Sequence, residues 1–211
     1  GENQDANREQ KGWNTANFND SSWTDVSFRS APSQNIVAQQ LYPIRNVETI
    51  PAQYMNKLND SLYVFDLGRN IAGVTKLKIK GKAGAMVRLI HTERLSPNGR
   101  VDLGRISNFH RPTDEEDLFQ TDTYVLSGKG EDVFMPKFNY KGFRYVEVSC
   151  SEPMELKKEC LTGYFMHNDV PEVGNVATSD PIINKIWKAT NVSYLSNLFG
   201  YPTDCPQREK N

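Results

Sequence analysis

Between residues 62 and 165, apolar and polar side chains alternate in short runs separated by glycine-rich turns. In Val74-Thr75-Lys76-Leu77-Lys78-Ile79-Lys80, Leu77 and Ile79 share one face and Lys76, Lys78 and Lys80 the other, the pattern of a strand with one face in a core. The same period runs through Leu62–Leu67, Ala85–His91, Asp122–Leu126, Phe134–Val148 and Leu156–Phe165, and it starts earlier, after Pro43, in Tyr42–Ile50. Gly68, Gly73, Gly81, Gly84 and Gly99 punctuate the series, and Ser96-Pro97-Asn98-Gly99 is a turn signal, because proline presets φ and Asn-Gly tolerates positive φ. Many short strands with such turns predict an antiparallel β-sandwich over 62–165, with no helix longer than about two turns.

The period changes after Asp169. Ser179-Asp180-Pro181 predicts a helix start, a polar N-cap followed by a proline whose missing N–H costs nothing there. Ile183, Ile186, Trp187, Thr190, Tyr194 and Leu198 then recur every three or four residues, an amphipathic stripe with Trp187 expected in a core. Gly200 and Pro202 predict the stop. Residues 1 to about 32 are polar, and Trp13, Phe18 and Trp23 fit neither period. The two tryptophans are expected to pack a loop against a sheet; a sugar-stacking platform is the alternative.

The chain has 211 residues, with 25 basic and 26 acidic side chains and a formal net charge of -1. That balance argues against nucleic acid and against a polybasic membrane contact. No apolar run approaches the ~20 residues of a membrane span. Cys150, Cys160 and Cys205 match no metal signature and read as reduced thiols, with a Cys150–Cys160 bridge across neighbouring strands as the alternative. The run Asp114-Glu115-Glu116-Asp117 lacks the alternate spacing of a calcium loop and reads as solvated; His91 reads as a strand residue and His110 as a loop residue. Neither a metal nor a cofactor is expected.

The chemistry gathers in Tyr201-Pro202-Thr203-Asp204-Cys205-Pro206-Gln207-Arg208-Glu209, where two carboxylates and a guanidinium lie within six residues between stiffening prolines. By composition alone, the simpler reading is a solvated, salt-bridged loop. Glycoside hydrolysis also uses such groups, a carboxylic acid to protonate the leaving oxygen and polar groups to hold sugar hydroxyls.

The wording of this stretch resembles the D-C-P-Q-R-E segment of the bacterial α-L-rhamnosidases, inverting glycoside hydrolases with an (α/α)6 barrel. Three other segments are similar to that family: Phe65-Asp66-Leu67-Gly68-Arg69-Asn70-Ile71-Ala72-Gly73, the run from His91 to Arg100, and Tyr140-Lys141-Gly142-Phe143-Arg144-Tyr145-Val146-Glu147-Val148. The resemblance implies a mainly β chain with three parts. Residues 1–32 end an N-terminal β domain, 33–166 form the β-sandwich, and 167–211 begin the helical barrel. It implies Glu209 as general acid, Asp204 and Arg208 as rhamnose-binding residues, and a rhamnose-containing glycoside or polysaccharide as partner. The family's G-W-x-G-D continuation and its general-base glutamate are not among these residues, so the chain is expected to be part of an enzyme and inactive alone. The rival reading is a non-catalytic carbohydrate-binding or structural β-sandwich module.

Overall fold

The computed structural model describes residues 1–109 and 118–207, with the backbone alone at Phe109. Arg208, Glu209, His110 and the acidic run 114–117 therefore lie outside the described residues.

In chain order the strands are β1 (Asn3–Asp5), β2 (Ile44–Pro51), β3 (Tyr54–Asn59), β4 (Leu62–Lys80), β5 (Met86–Thr92), β6 (Arg94–Leu95), β7 (Val101–Asp102), β8 (Thr121–Val125), β9 (Glu131–Phe134), β10 (Lys141–Cys150) and β11 (Leu161–Asn168). Helix α1 (Pro181–Ser196) and a small hairpin of β12 (Leu198–Phe199) and β13 (Tyr201–Pro202) follow. Short 3-10 turns occupy Gly104–Phe109 and Lys158–Cys160. No helix among the described residues is long and apolar enough to cross a membrane.

The chain is mainly β, as its periodicity predicts. Among the described residues, nine strands join in one sheet of order β1-β8-β5-β10-β4-β11-β2, with β3 and β9 also paired to β4. All pairings within it are antiparallel except the parallel contact of β1 with β8. The sheet curls around β4. The first part of this strand pairs with β3 and β10, and its end with β11 and β9, so β4 belongs to both faces of the fold. Tyr124 of β8 meets Phe134 of β9 with ring centroids 5.0 Å apart although the two strands are not sheet neighbours. The enclosed face holds one core that includes Phe65, Leu77, Leu89, Phe143, Val146 and Leu161. Aromatic and branched side chains fit this pleated, buried surface, which makes Phe143 a core residue, as its strand context predicts.

Three local outcomes differ from the pattern. Leu62–Leu67 and Val74–Lys80 are one strand, β4, because Gly68 bends the chain at φ +81° without ending the ladder. β3 has no clean alternation and is specified by its pairing with β4. Trp13 and Trp23 do not pack on the sheet: they are 45% and 48% exposed, Trp23 tilts against Phe18 at 5.4 Å, and its indole N–H donates to Gln10 Oε1 at 2.6 Å.

The first strand carries almost no apolar signal and is held by polar contacts. The Glu2 N–H donates to Asp122 Oδ1 at 2.9 Å, and Glu2 Oε2 accepts from the amides of Lys137 and Phe138. Asp122 in turn is ion-paired to Lys141 at 2.6 Å, with both side chains buried. Burial alone would raise the Asp122 pKa, but the Lys141 ammonium, His91 and the Glu2 amide outweigh it and hold the carboxyl below its usual range.

Asp180 caps α1 as its sequence predicts, accepting from the Ile182 amide at 2.8 Å, with Pro181 in the first turn. Ile183, Ile186, Thr190 and Tyr194 are exposed and Trp187 is half-buried, so the helical part of the stripe finds no core within the described residues, whereas Leu198, in β12, is buried. The side of the helix bearing Leu195 packs against the sandwich core instead.

Candidate functional site

Helix α1, the bend of β4 and the segment after β13 enclose a cleft of about 910 Å³. Its walls include Arg69, Asn70, Glu93, Ile106, Lys185, Lys188, Asp204 and Gln207.

A bulge supplies one wall. Between the paired positions Asp66–Tyr145 and Ile71–Phe143, β4 has four residues where β10 has one. The surplus pushes Arg69 and Asn70 out of the ladder toward the cleft, a common use of bulges beside sites. Asp66 fixes the base of the bulge. It accepts two hydrogen bonds at 2.8 Å from the Arg144 guanidinium and one at 2.7 Å from the Gly68 amide. Hydrogen bonding to Arg144 leads in depressing the Asp66 pKa. Arg69 is ion-paired with Glu48 and lies over the Phe165 ring.

Glu93 follows the end of β5 and is kept beside β10 by the β6–β7 hairpin. Glu147 of β10, 0% exposed, accepts both Arg100 Nε and Nη2 at 2.6 Å and the Val101 amide at 3.2 Å, which pins that hairpin to the sheet. The predicted turn within it is present, with the Gly99 amide donating to the Ser96 carbonyl at 2.9 Å.

The segment 197–207 forms the opposite wall and is tied to the sandwich at several points. Phe199 stacks on Tyr140 with centroids 3.7 Å apart and planes 4° from parallel. The Gly200 amide donates to Asn168 Oδ1 at 2.6 Å. Gln207 is buried, and its side-chain amide donates to Glu93 Oε1 at 2.6 Å. The same Glu93 oxygen accepts from Asn70 Nδ2 at 2.7 Å. Under this segment lies Gly142 of β10, where a Cβ would come within 2.6 Å of both Gln207 Nε2 and Pro206 Cγ.

Of the three residues singled out as a site by sequence, Asp204 lines the cleft, while Arg208 and Glu209 follow Gln207 outside the described residues. Glu93, Asn70 and Gly142 sit in recognisable sequence segments but carried no signal of a role at the site, because their partners are distant in sequence. His91 is a buried strand residue. Its Nδ1–H donates to the Gln120 carbonyl oxygen at 3.2 Å and its Nε2 is hydrogen-bonded to the Thr75 hydroxyl at 2.9 Å. No cluster of metal-ligating side chains occurs among the described residues.

Residues 56–167 match the family model of the bacterial alpha-L-rhamnosidase concanavalin-like domain. Residues 171–211 match the bacterial alpha-L-rhamnosidase six-hairpin glycosidase domain, and residues 1–48 the alpha-L-rhamnosidase N-terminal domain. An alpha-L-rhamnosidase of Streptomyces avermitilis is 34% identical over the whole chain, which covers 20% of that protein. The alpha-L-rhamnosidase structure from Dictyoglumus thermophilum superposes with a TM-score of 0.86 at 32% identity, covering 99% of this chain and 22% of that one. The Streptomyces avermitilis enzyme structure complexed with L-rhamnose gives a TM-score of 0.81 at 33% identity, over 99% of this chain and 19% of that one. The chain spans about a fifth of the length of the curated relatives it matches.

Proposed function

The chain belongs to the bacterial α-L-rhamnosidase family, and on that premise we propose that it supplies the acid side of an active site that hydrolyses terminal α-L-rhamnosyl residues with inversion. Glu209 is the general acid, Asp204 and Arg208 hold rhamnose hydroxyls, and a glutamate outside residues 1–211 is the general base. Residues 1–32 close a preceding β domain, 33–166 are the sandwich, and 167–211 open the helical catalytic barrel. The partner is a rhamnose-containing glycoside or polysaccharide, and hydrolysis asks for no cofactor.

In this chemistry the acid's proton passes to the glycosidic oxygen as the bond from that oxygen to the sugar's anomeric carbon breaks. Water attacks the same carbon from the opposite face and gives its proton to the base, the two carboxyls standing ~6.5–9.5 Å apart. The observation that carries the reading is the seating of the motif. Asp204 lines the cleft, and Gln207, immediately before Arg208 and Glu209 in sequence, is buried against Glu93. A solvated, salt-bridged loop would not bury Gln207 in this way.

The test is the stereochemistry of the first product. Proton NMR of an enzyme containing this chain, acting on an α-L-rhamnoside, should show β-L-rhamnose before mutarotation. Initial release of the α-anomer would contradict inversion.

A further inference from the structure

We propose that Glu93, on the sandwich, is a positioning residue for catalysis: acting through Gln207, it sets the placement of the loop that carries the proton donor. This rests on the reading of Glu209 as the acid. Neither family resemblance nor sequence spacing gives Glu93 a role, and the inference comes from the way two separate elements meet.

Glu93 Oε1 accepts from two amides, Asn70 on the β4 bulge and Gln207 on the loop. Two donors on one carboxylate oxygen fix its direction, and ionised acceptors make the stronger hydrogen bonds. Glu93 and Gln207 lie 114 positions apart in sequence, on opposite walls of the cleft. Gly142 sets the height of this dock. The loop lies so close to β10 that any side chain there would strike Gln207 and Pro206. The platform is itself held, because Gln120 Nε2 donates to the Gly142 carbonyl at 2.7 Å and Gln120 is buried. The loop's other end is anchored separately by Phe199 on Tyr140. Gln207 is two residues from Glu209, so the Glu93 contact is the last described restraint before the acid. A catalytic group displaced by ~1 Å can lose ~10²-fold in rate.

The experiment uses an enzyme containing this chain, with Glu93→Ala, Glu93→Gln, the swap Glu93→Gln with Gln207→Glu, and Glu209→Gln as control. Each is assayed on a rhamnoside with a poor leaving group and on an activated aryl rhamnoside, with Tm recorded. Hydrogen exchange across 203–207 is read alongside. Glu93→Ala should lower kcat about tenfold or more on the poor leaving group, with KM within about twofold and less loss on the aryl substrate. Exchange in 203–207 should rise about tenfold. The swap reverses the direction of the hydrogen bond, with the amide at 93 donating to the carboxylate at 207, and should recover most of the kcat. A loss confined to KM would make Glu93 a substrate contact, and a lower Tm with unchanged kcat would make it purely structural; either overturns the proposal. If Glu93→Ala does not fold, the swap decides: a folded swap with low kcat also overturns it. Unchanged exchange removes the dock whatever the kinetics. If Glu209→Gln fails to discriminate between leaving groups, the acid assignment fails, while the exchange result still judges the dock.

Discussion

Lys141 and Asp122 form an ion pair at 2.6 Å that is 3% and 0% exposed and joins the start of β10 to β8, across the intervening β5. Burying two charges is costly, and removing one partner strands the other in a medium that cannot solvate it. Lys141→Met should therefore destabilise by about 3–5 kcal/mol. The double variant Lys141→Met with Asp122→Leu should recover much of that loss, although the Glu2 amide then loses its acceptor. Urea unfolding of the single and double variants measures this. Additive losses would mean that the pair is not coupled.

Asp66 links stability to pH. Its folded pKa lies below the ordinary value, first through the Arg144 hydrogen bonds, so its contribution is fully present above the unfolded pKa of about 3.9. It is lost as pH falls through the folded value. The pair is partly exposed and screened, so about 1 kcal/mol is expected. Asp66→Asn should thus cost a constant amount between pH 5 and 8, narrowing below about pH 4 in pH-dependent unfolding experiments.

Cys150 should be silent to thiol reagents. Burial pushes its pKa up to about 11, so only about one thiol in 10³ is ionised at pH 8, and the sulfur is also shielded. Mass spectrometry after mild alkylation should find Cys150 unmodified in the native protein and modified after denaturation. Rapid native labelling would contradict the buried placement.

The strands of period two, the turn at Ser96–Gly99 and the Asp180 cap were legible because their causes are local. Leu77 and Ile79 alternate with lysines whatever else the chain does, and Asp180 precedes Pro181 in any context. β1 was not legible, since Asn3-Gln4-Asp5 has no apolar face and is held by Asp122, far along the chain. The continuity of β4 through Gly68 was hidden for a different reason: a glycine that bends a strand and one that ends it look alike in sequence. At the site, Asp204 was visible through its motif. Glu93 and Gly142 were not, because their roles exist only where the loop meets the sandwich.

The central claim is that Glu209 protonates the leaving oxygen, and the most direct measurement is the leaving-group dependence of Glu209→Gln in an enzyme containing this chain. General acid assistance typically contributes ~10²–10⁴-fold. The variant should lose activity on that scale toward a rhamnoside with a poor leaving group, and far less toward one whose aryl group departs without protonation. Equal losses on both substrates, with the variant folded, would contradict the assignment.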